Sequence, residues 1–387
     1  MNRRNFVRLV GGGVVLAATA GLAGCSSELP PEATAAWSGP AAGTTDVRRW
    51  ILSYAILAPH SHNLQSWLVD LRQPGEITLY CDHTRMLPET DPQSRPIMMS
   101  QGTFLELLDI AARQKGLRAD ITLFPQGEFG PATLDKRPVA RIVLAADAAV
   151  QPDPLFAQIL HRHTNREAYD MREPAAAALE AITASVAPHP LRTGFAGPAQ
   201  PDVLQKHRAI AMDAWRIELV TPRTILESFK VLRVGPREIA QHRDGLSINT
   251  PMVRTLTALG LFDRSKAPAP DDAATTGQIK DFNAKVAATP AFFWMVTEGN
   301  DRKTQVNAGR AYVRAQLAAT AHGLVMQPLS QALQEYPEQA QPYADIHTLL
   351  QAPPPRYTVQ MWARLGYAPP VGPSPRRGVD AHLMTAT

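Results

Sequence analysis

Gly102-Thr103-Phe104-Leu105-Glu106-Leu107-Leu108-Asp109-Ile110-Ala111-Ala112-Arg113-Gln114-Lys115-Gly116-Leu117 is one copy of a pattern that the chain uses twice. Its frame, Gly102…Ile110-Ala111-Ala112…Gly116-Leu117, returns with identical spacing as Gly309…Leu317-Ala318-Ala319…Gly323-Leu324. A pair of small residues in mid-helix lets two helices approach closely, and the closing Gly-Leu ends each helix on a left-handed cap. An earlier echo stands in the same order. Ile51-Leu52-Ser53…Ala58-Pro59-His60 resembles Ile182-Thr183-Ala184-Ser185…Ala187-Pro188-His189. Two ordered echoes predict a duplicated unit. The copies are not equally long: 129 residues separate Pro59 from Pro188 and 207 separate Gly102 from Gly309, so the second carries 78 more. An insertion of that size, at about 200–290, reads as a lid or an accessory helical pair.

Working outward, apolar spacing predicts a helix over Val47–Leu57, stopped at Ala58-Pro59 because the residue before proline avoids the α region. Trp67–Leu71, Ile77–Cys81, Val139–Leu144 and Thr358–Trp362 read as strands, and Phe104–Lys115 as a helix ending on Gly116. Residues 25–45, rich in Pro, Ala, Ser, Gly and Thr, read as a flexible tether. Before them, Asn2-Arg3-Arg4-Asn5-Phe6-Val7-Arg8 and the apolar run Leu9–Ala23 resemble a twin-arginine export signal, too short to span a bilayer comfortably. Leu22-Ala23-Gly24-Cys25 resembles a lipobox, which would place a lipid on Cys25. The expectation is a periplasmic protein or a membrane-anchored lipoprotein. The remaining cysteine, Cys81, then has no disulfide partner within the chain. The net charge of +4 falls to about +1 without Arg3, Arg4 and Arg8, and no basic run interleaves with aromatics. Nucleic acid is not an expected partner.

Four segments carry chemistry. In Ala58-Pro59-His60-Ser61-His62-Asn63-Leu64-Gln65-Ser66-Trp67, a hydroxyl and two carboxamides alternate; on extended backbone Ser61, Asn63 and Gln65 would face one planar polar ligand together. Arg162-His163-Thr164-Asn165-Arg166 packs two guanidinium forks and a hydroxyl into five residues, the usual tools for gripping phosphate. Ser374-Pro375-Arg376-Arg377 is a second basic site in a proline-constrained loop. Gln327-Pro328-Leu329-Ser330-Gln331 follows the second Gly-Leu turn and can present backbone groups at a ring edge.

Together these segments resemble the nitroreductase family of FMN enzymes, and their order resembles its fused, double-length Acg-like branch. The resemblance implies an α+β fold: two related halves, 46–158 and 159–387, each with mixed or antiparallel sheets flanked by helices, forming a pseudo-dimer within one monomeric chain. It implies one FMN. Arg162, His163, Thr164 and Arg376 or Arg377 would grip the phosphate. Pro59, His60, Ser61, Asn63 and Gln65 would bond the ring and ribityl chain. Arg166 would lie at the pyrimidine edge, where a cation raises the reduction potential. Pro328, Leu329, Ser330 and Gln331 would approach the opposite edge. Only one composite site is complete, because the second copy of the loop reads Ala187-Pro188-His189-Pro190-Leu191-Arg192-Thr193-Gly194 and has lost both carboxamides. The implied reaction is ping-pong transfer to small electron-poor acceptors such as nitroaromatics or quinones, from NAD(P)H or another donor, with no catalytic side chain required. His60 stands where the family has serine, and Ser66 where it has proline.

Other readings stay open. The lid can close the flavin face, leaving a protein that binds or sequesters FMN with little turnover. His60/His62 and His161/His163 form His-x-His pairs, yet no acidic or cysteine ligand spacing accompanies them, so no metal is expected.

Overall fold

Two four-stranded antiparallel sheets share the same internal order. In the computed structural model, which describes residues 27–384, strands β1 (Trp67–Asp70), β2 (Glu76–Cys81), β3 (Leu117–Leu123) and β4 (Ala140–Ala146) lie in the order β1-β2-β4-β3. Strand β5 (Arg192–Ala196) opens the second sheet. Two short strands, β6 (Leu232–Val234) and β7 (Leu246–Ile248), pair with each other in parallel. Strands β8 (Ala291–Glu298), β9 (Val325–Pro328) and β10 (Tyr357–Gly366) complete the second sheet in the order β5-β8-β10-β9. The signal stretch and Cys25 lie outside the described residues.

Helices pack on and between these sheets: α1 (Pro31–Thr34), α2 (Val47–Ala55), α3 (Arg95–Arg113), α4 (Ala176–Val186), α5 (Pro201–Val220), α6 (Pro222–Lys230), α7 (Gly235–His242), α8 (Pro251–Ala258), α9 (Ala273–Ala287), α10 (Arg302–Ala321) and α11 (Ala340–Leu349). Asp46 starts α2 by accepting from the Arg48 N–H at 2.9 Å, and Asp301 starts α10 by accepting from Thr304 at 2.7 Å. Gly116 and Gly323 follow α3 and α10 at φ of 66° and 68°, as the repeat predicts. Helix α3 begins at Arg95, nine residues before the expected Phe104, because Pro96 is tolerated in a first helical turn. The strand β2 alternates as an exposed-face strand should. In contrast, β8 is buried on both faces, by α10 on one side and α5 and α9 on the other, which is why Ala291–Val296 reads as a continuous apolar run.

The centre of the molecule is the crossing of α3 and α10. A Cβ on Gly102 would overlap the carbonyl oxygen of Val306, and one on Gly309 would overlap that of Met99. The two clashes are reciprocal, each glycine meeting the residue three before its counterpart. Since backbone cannot yield as a side chain tip can, Gly309→Ala should cost about 3 kcal/mol, read as a drop in the denaturant midpoint.

One expectation is corrected here. Part of the segment read as a tether is packed: Trp37 is buried, its Nε1 donates to Ser374 O at 2.8 Å, and Ala33 O accepts from the Arg376 N–H at 2.8 Å. Composition averaged away one large aromatic whose burial orders its neighbours. The insertion, which comprises α5–α9, β6 and β7, does not stand apart. Helices α5 and α9 complete a core against β8 and β10, while residues 227–245 reach the Ser61–Gln65 loop.

Candidate functional site

The loop after α2 is coiled, not extended. Ser61–Asn63 form a 3₁₀ turn, and His62, Asn63 and Gln65 have φ of 47°, 55° and 56°. Left-handed residues break the alternation, so Ser61, Asn63 and Gln65 do not share one face. Asn63 Nδ2 donates to Pro375 O at 3.0 Å and to Gly245 O at 3.3 Å. Gln65 is wholly buried; its Oε1 accepts from the Arg377 N–H at 3.0 Å and its Nε2 donates to Arg243 O at 2.9 Å. Both carboxamides therefore fasten the loop to the insertion and to the C-terminal segment. Pro59 O accepts from the Thr103 hydroxyl, and the Ser61 N–H donates to Ser100 Oγ. His60 spans the loop: Nε2 accepts from the Ser66 N–H at 3.0 Å, so Nδ1 carries the proton toward Ser61 O at 2.8 Å. Burial pushes this imidazole down to about 3, and His62 down to about 4. The Ser61 hydroxyl and His62 make only long contacts, Ser61 Oγ with His62 Nδ1 at 3.5 Å and His62 Nε2 with the Ser228 hydroxyl at 3.3 Å. Arg166 is exposed and acts electrostatically on His62, and the buried Tyr169 and Tyr312 act electrostatically on Arg166.

The basic motif is stitched to the second sheet. Thr164 bridges Met326 in parallel, and the Asn165 N–H donates to Met326 O. This carries Arg162–Arg166 to the strand that ends at Pro328. Leu329 is core, and its N–H is spent on Trp362 O at 2.7 Å, so it offers no donor to a ring. Ser330 and Gln331 open the following 3₁₀ turn and are half-buried.

Arg162 and Arg376 form the most unusual feature. They are 2% and 3% exposed, and both guanidinium groups lie 5.6 Å from the Trp37 ring centre. Arg162 donates to Leu57 O at 3.0 Å and to Gln316 Oε1 at 3.1 Å; Arg376 donates to Ala58 O at 3.0 Å. Carbonyls just beyond a helix C-terminus suit cations but do not neutralise them. Among the described residues neither arginine has a carboxylate partner. Arg162 Nε, Arg376 Nε, Tyr312 OH and Gln316 Nε2 are all buried without a hydrogen-bond partner. Burial pushes Arg162 down to about 10 and Arg376 down to about 9, the latter helped by Arg162's own charge. Guanidinium does not shed its proton near neutral pH, so that cost persists until an anion arrives. The donors fit a phosphate group. Arg377 behaves differently: its side chain donates to Gln65 O at 2.6 Å, tying down the C-terminal segment. His163 packs edge-on to Trp37. Sequence reasoning missed Trp37, Tyr312 and Gln316; the last two lie on one face of α10, four residues apart, inside the repeat it had already found.

A cavity of about 560 Å³ lies elsewhere, lined in part by His189–Arg192. His189 takes the place of His60, but its Nε2 has no hydrogen-bond partner and stands 4.0 Å from Glu106 Oε2. Beside it Glu106 pairs with Arg310 and Arg314, both at 2.7 Å, and Arg314 with Asp153 at 2.9 Å. Here the half-buried Arg310 and Arg314 each have a carboxylate. The two places thus differ in charge: one is neutralised internally, the other is not. No group of three or more His, Cys, Asp or Glu converges as a metal site among the described residues.

No family model matches the chain. It is 26% identical over 355 residues to two proteins of Mycobacterium tuberculosis, strains CDC 1551 and H37Rv, provisionally named NAD(P)H nitroreductases; the match covers 88% of this chain and 93% of each relative. Among solved structures it overlaps the FMN-dependent nitroreductase NfnB from Mycobacterium smegmatis in complex with NADPH (16% identity, 59% of this chain, 96% of that one, TM-score 0.37). The FMN- and NADPH-dependent NfnB from Sphigopyxis sp. strain HMH overlaps similarly (16%, 61%, 100%, TM-score 0.37). Overlap that shallow leaves the assignment to the residues themselves.

Proposed function

We propose that this chain is an FMN-dependent oxidoreductase of the nitroreductase family, an internal pseudo-dimer holding one flavin. The carrying observation is the buried Arg162–Arg376 pair with no counter-ion, whose orphaned donors match a phosphate monoester. The identical order of the two sheets and the reciprocal Gly102/Gly309 contact support the duplication. The full-length similarity to relatives named nitroreductases supports the reaction class. Bound flavin would supply reversible hydride or electron transfer. The protein's part is to bind and orient. Arg162 and Arg376, with Tyr312 and Gln316, would hold the phosphate. The Ser61 hydroxyl, Arg166, Ser330 and Gln331 would bind the ring. Acceptors are small electron-poor molecules such as nitroaromatics or quinones, and NAD(P)H is one candidate donor. The chain is exported by the twin-arginine route and anchored through lipid on Cys25. Among the described residues no helix is long and apolar enough to cross a membrane.

One observation favours a second reading. Ser228, Arg243 and Gly245 of the insertion bond to His62, Gln65 and Asn63, closing over the loop. A protein so closed would hold FMN with little turnover. Absorbance of the purified chain, then anaerobic NADPH and dithionite, separates the readings. One FMN per chain bleached by NADPH is the expected result. Bleaching by dithionite alone favours the holder, and no flavin after incubation with excess FMN overturns both.

A further inference from the structure

Helix α8 carries Met252 and Leu256 at i and i+4, on one helix face, and Leu259 caps its C-terminus. None of its residues is buried; Met252 and Leu259 are 49% and 61% exposed, and nearby Leu261 is 54% exposed. Single exposed apolar residues are ordinary, but three of the six large ones among the described residues fall within 252–261. The path of the N-terminal segment gives this patch a meaning. Glu28 O accepts from Asn249 Nδ2 at 2.6 Å, two residues before α8, and α1 packs against α7. The first described residues therefore run along the insertion. Cys25 precedes Glu28 by three residues, a reach of about 10 Å at full extension.

We propose that Met252, Leu259 and Leu261 rest on the bilayer into which the lipid on Cys25 inserts. The inference rests on the lipoprotein reading above. A short leash from a fixed point holds this face at the membrane surface. At its rim Arg264 pairs with Glu238 at 2.8 Å and Lys266 with Asp263 at 3.2 Å, so the face brings little free charge. Its contact is apolar, without preference for anionic lipid and insensitive to salt.

The lipidated full chain, reconstituted in phosphatidylcholine vesicles, tests this through an environment-sensitive fluorophore on Leu259→Cys. Cys81 is buried and its thiol is pushed up to about 12, so it stays unlabelled. Met171→Cys, at a residue 60% exposed, is the comparison. The expected result is a blue shift, and quenching by brominated lipid, at 259 alone and at low and high salt. In the unlipidated Cys25→Ala chain, Met252→Glu/Leu259→Glu/Leu261→Glu should lower vesicle partition roughly tenfold. Chain that sediments with vesicles but shows no shift at 259 overturns the proposal and leaves the lipoprotein reading standing. Mass spectrometry showing no lipid on Cys25 removes that reading; equal partition of the Cys25→Ala chain and its triple variant then overturns the proposal as well. Dimerisation without vesicles, abolished by the triple variant, would make the face a contact between copies and overturn it too.

Discussion

Arg376→Met is expected to lower FMN affinity by about two orders of magnitude while leaving the flavin-free protein as stable as before, or more so. A charge-assisted hydrogen bond contributes about 1.5–3 kcal/mol, and every 1.4 kcal/mol is tenfold in affinity. Arg376 also sits beside Arg162 with no carboxylate to offset either charge, so its removal relieves a buried repulsion in the empty protein. Methionine keeps the stem's packing and loses the charge, its contact with the Trp37 ring and the bonds to Ala58 O and Pro375 O. Arg162→Met should behave alike, and the double variant should lose less than the sum because both groups serve one anion. Arg377→Met is the contrast. It frees the buried Gln65 O and should cost about 1–3 kcal/mol of stability, with a smaller effect on FMN. Flavin fluorescence titration and urea midpoints of the empty proteins read both quantities. If Arg376→Met unfolds the empty protein easily yet binds FMN normally, the two arginines are only caps for the helix end at Leu57 and Ala58.

The repeat made the frame of the molecule legible. Gly102 and Gly309 matter because two backbones meet there, and that leaves a mark in sequence: a missing side chain at the same place in both copies. The helix stops at Gly116 and Gly323 are equally visible, since few other residues take that φ. The basic motif and the C-terminal arginines were legible as two separate basic sites, joined only by the family resemblance; the structure sets Arg162 and Arg376 against one ring, that of Trp37. Which of Arg376 and Arg377 turns inward was not, because adjacent residues in an irregular segment carry no period to assign them. The Ser61–Gln65 loop misled for a related reason. Alternation implies a shared face only on extended backbone, and His62, Asn63 and Gln65 are left-handed through contacts with Arg243, Gly245, Pro375 and Arg377, the last more than 300 residues away. Tyr312 and Gln316 were hidden in plain helical spacing, since one face of α10 looks the same whether it meets core or ligand.

His60 provides the second large effect, and it is a matter of pH. Its ring closes the loop only when neutral, accepting from Ser66 and donating to Ser61. The folded imidazole titrates at about 3, held there first by burial and then by Arg376 and Arg377, while the unfolded one titrates at its ordinary 6.5. Between those values only the unfolded chain takes up the proton. Stability from this residue is therefore complete above pH 6.5 and is lost as pH falls, by about 2 kcal/mol at pH 5. Asp91 and Glu218, both raised to about 7 by burial, act in the opposite direction. The whole protein's acid slope is thus a mixture, and the difference between variants isolates His60. His60→Gln supplies one donor and one acceptor without titrating, so it should match the parent at pH 7.5 and exceed it at pH 5. His60→Ala leaves Ser61 O and the Ser66 N–H without partners and should cost about 2–4 kcal/mol at either pH. Urea midpoints at the two values decide the matter. A glutamine variant as acid-sensitive as its parent would mean that the proton is taken up elsewhere, with His62 the next ring to replace.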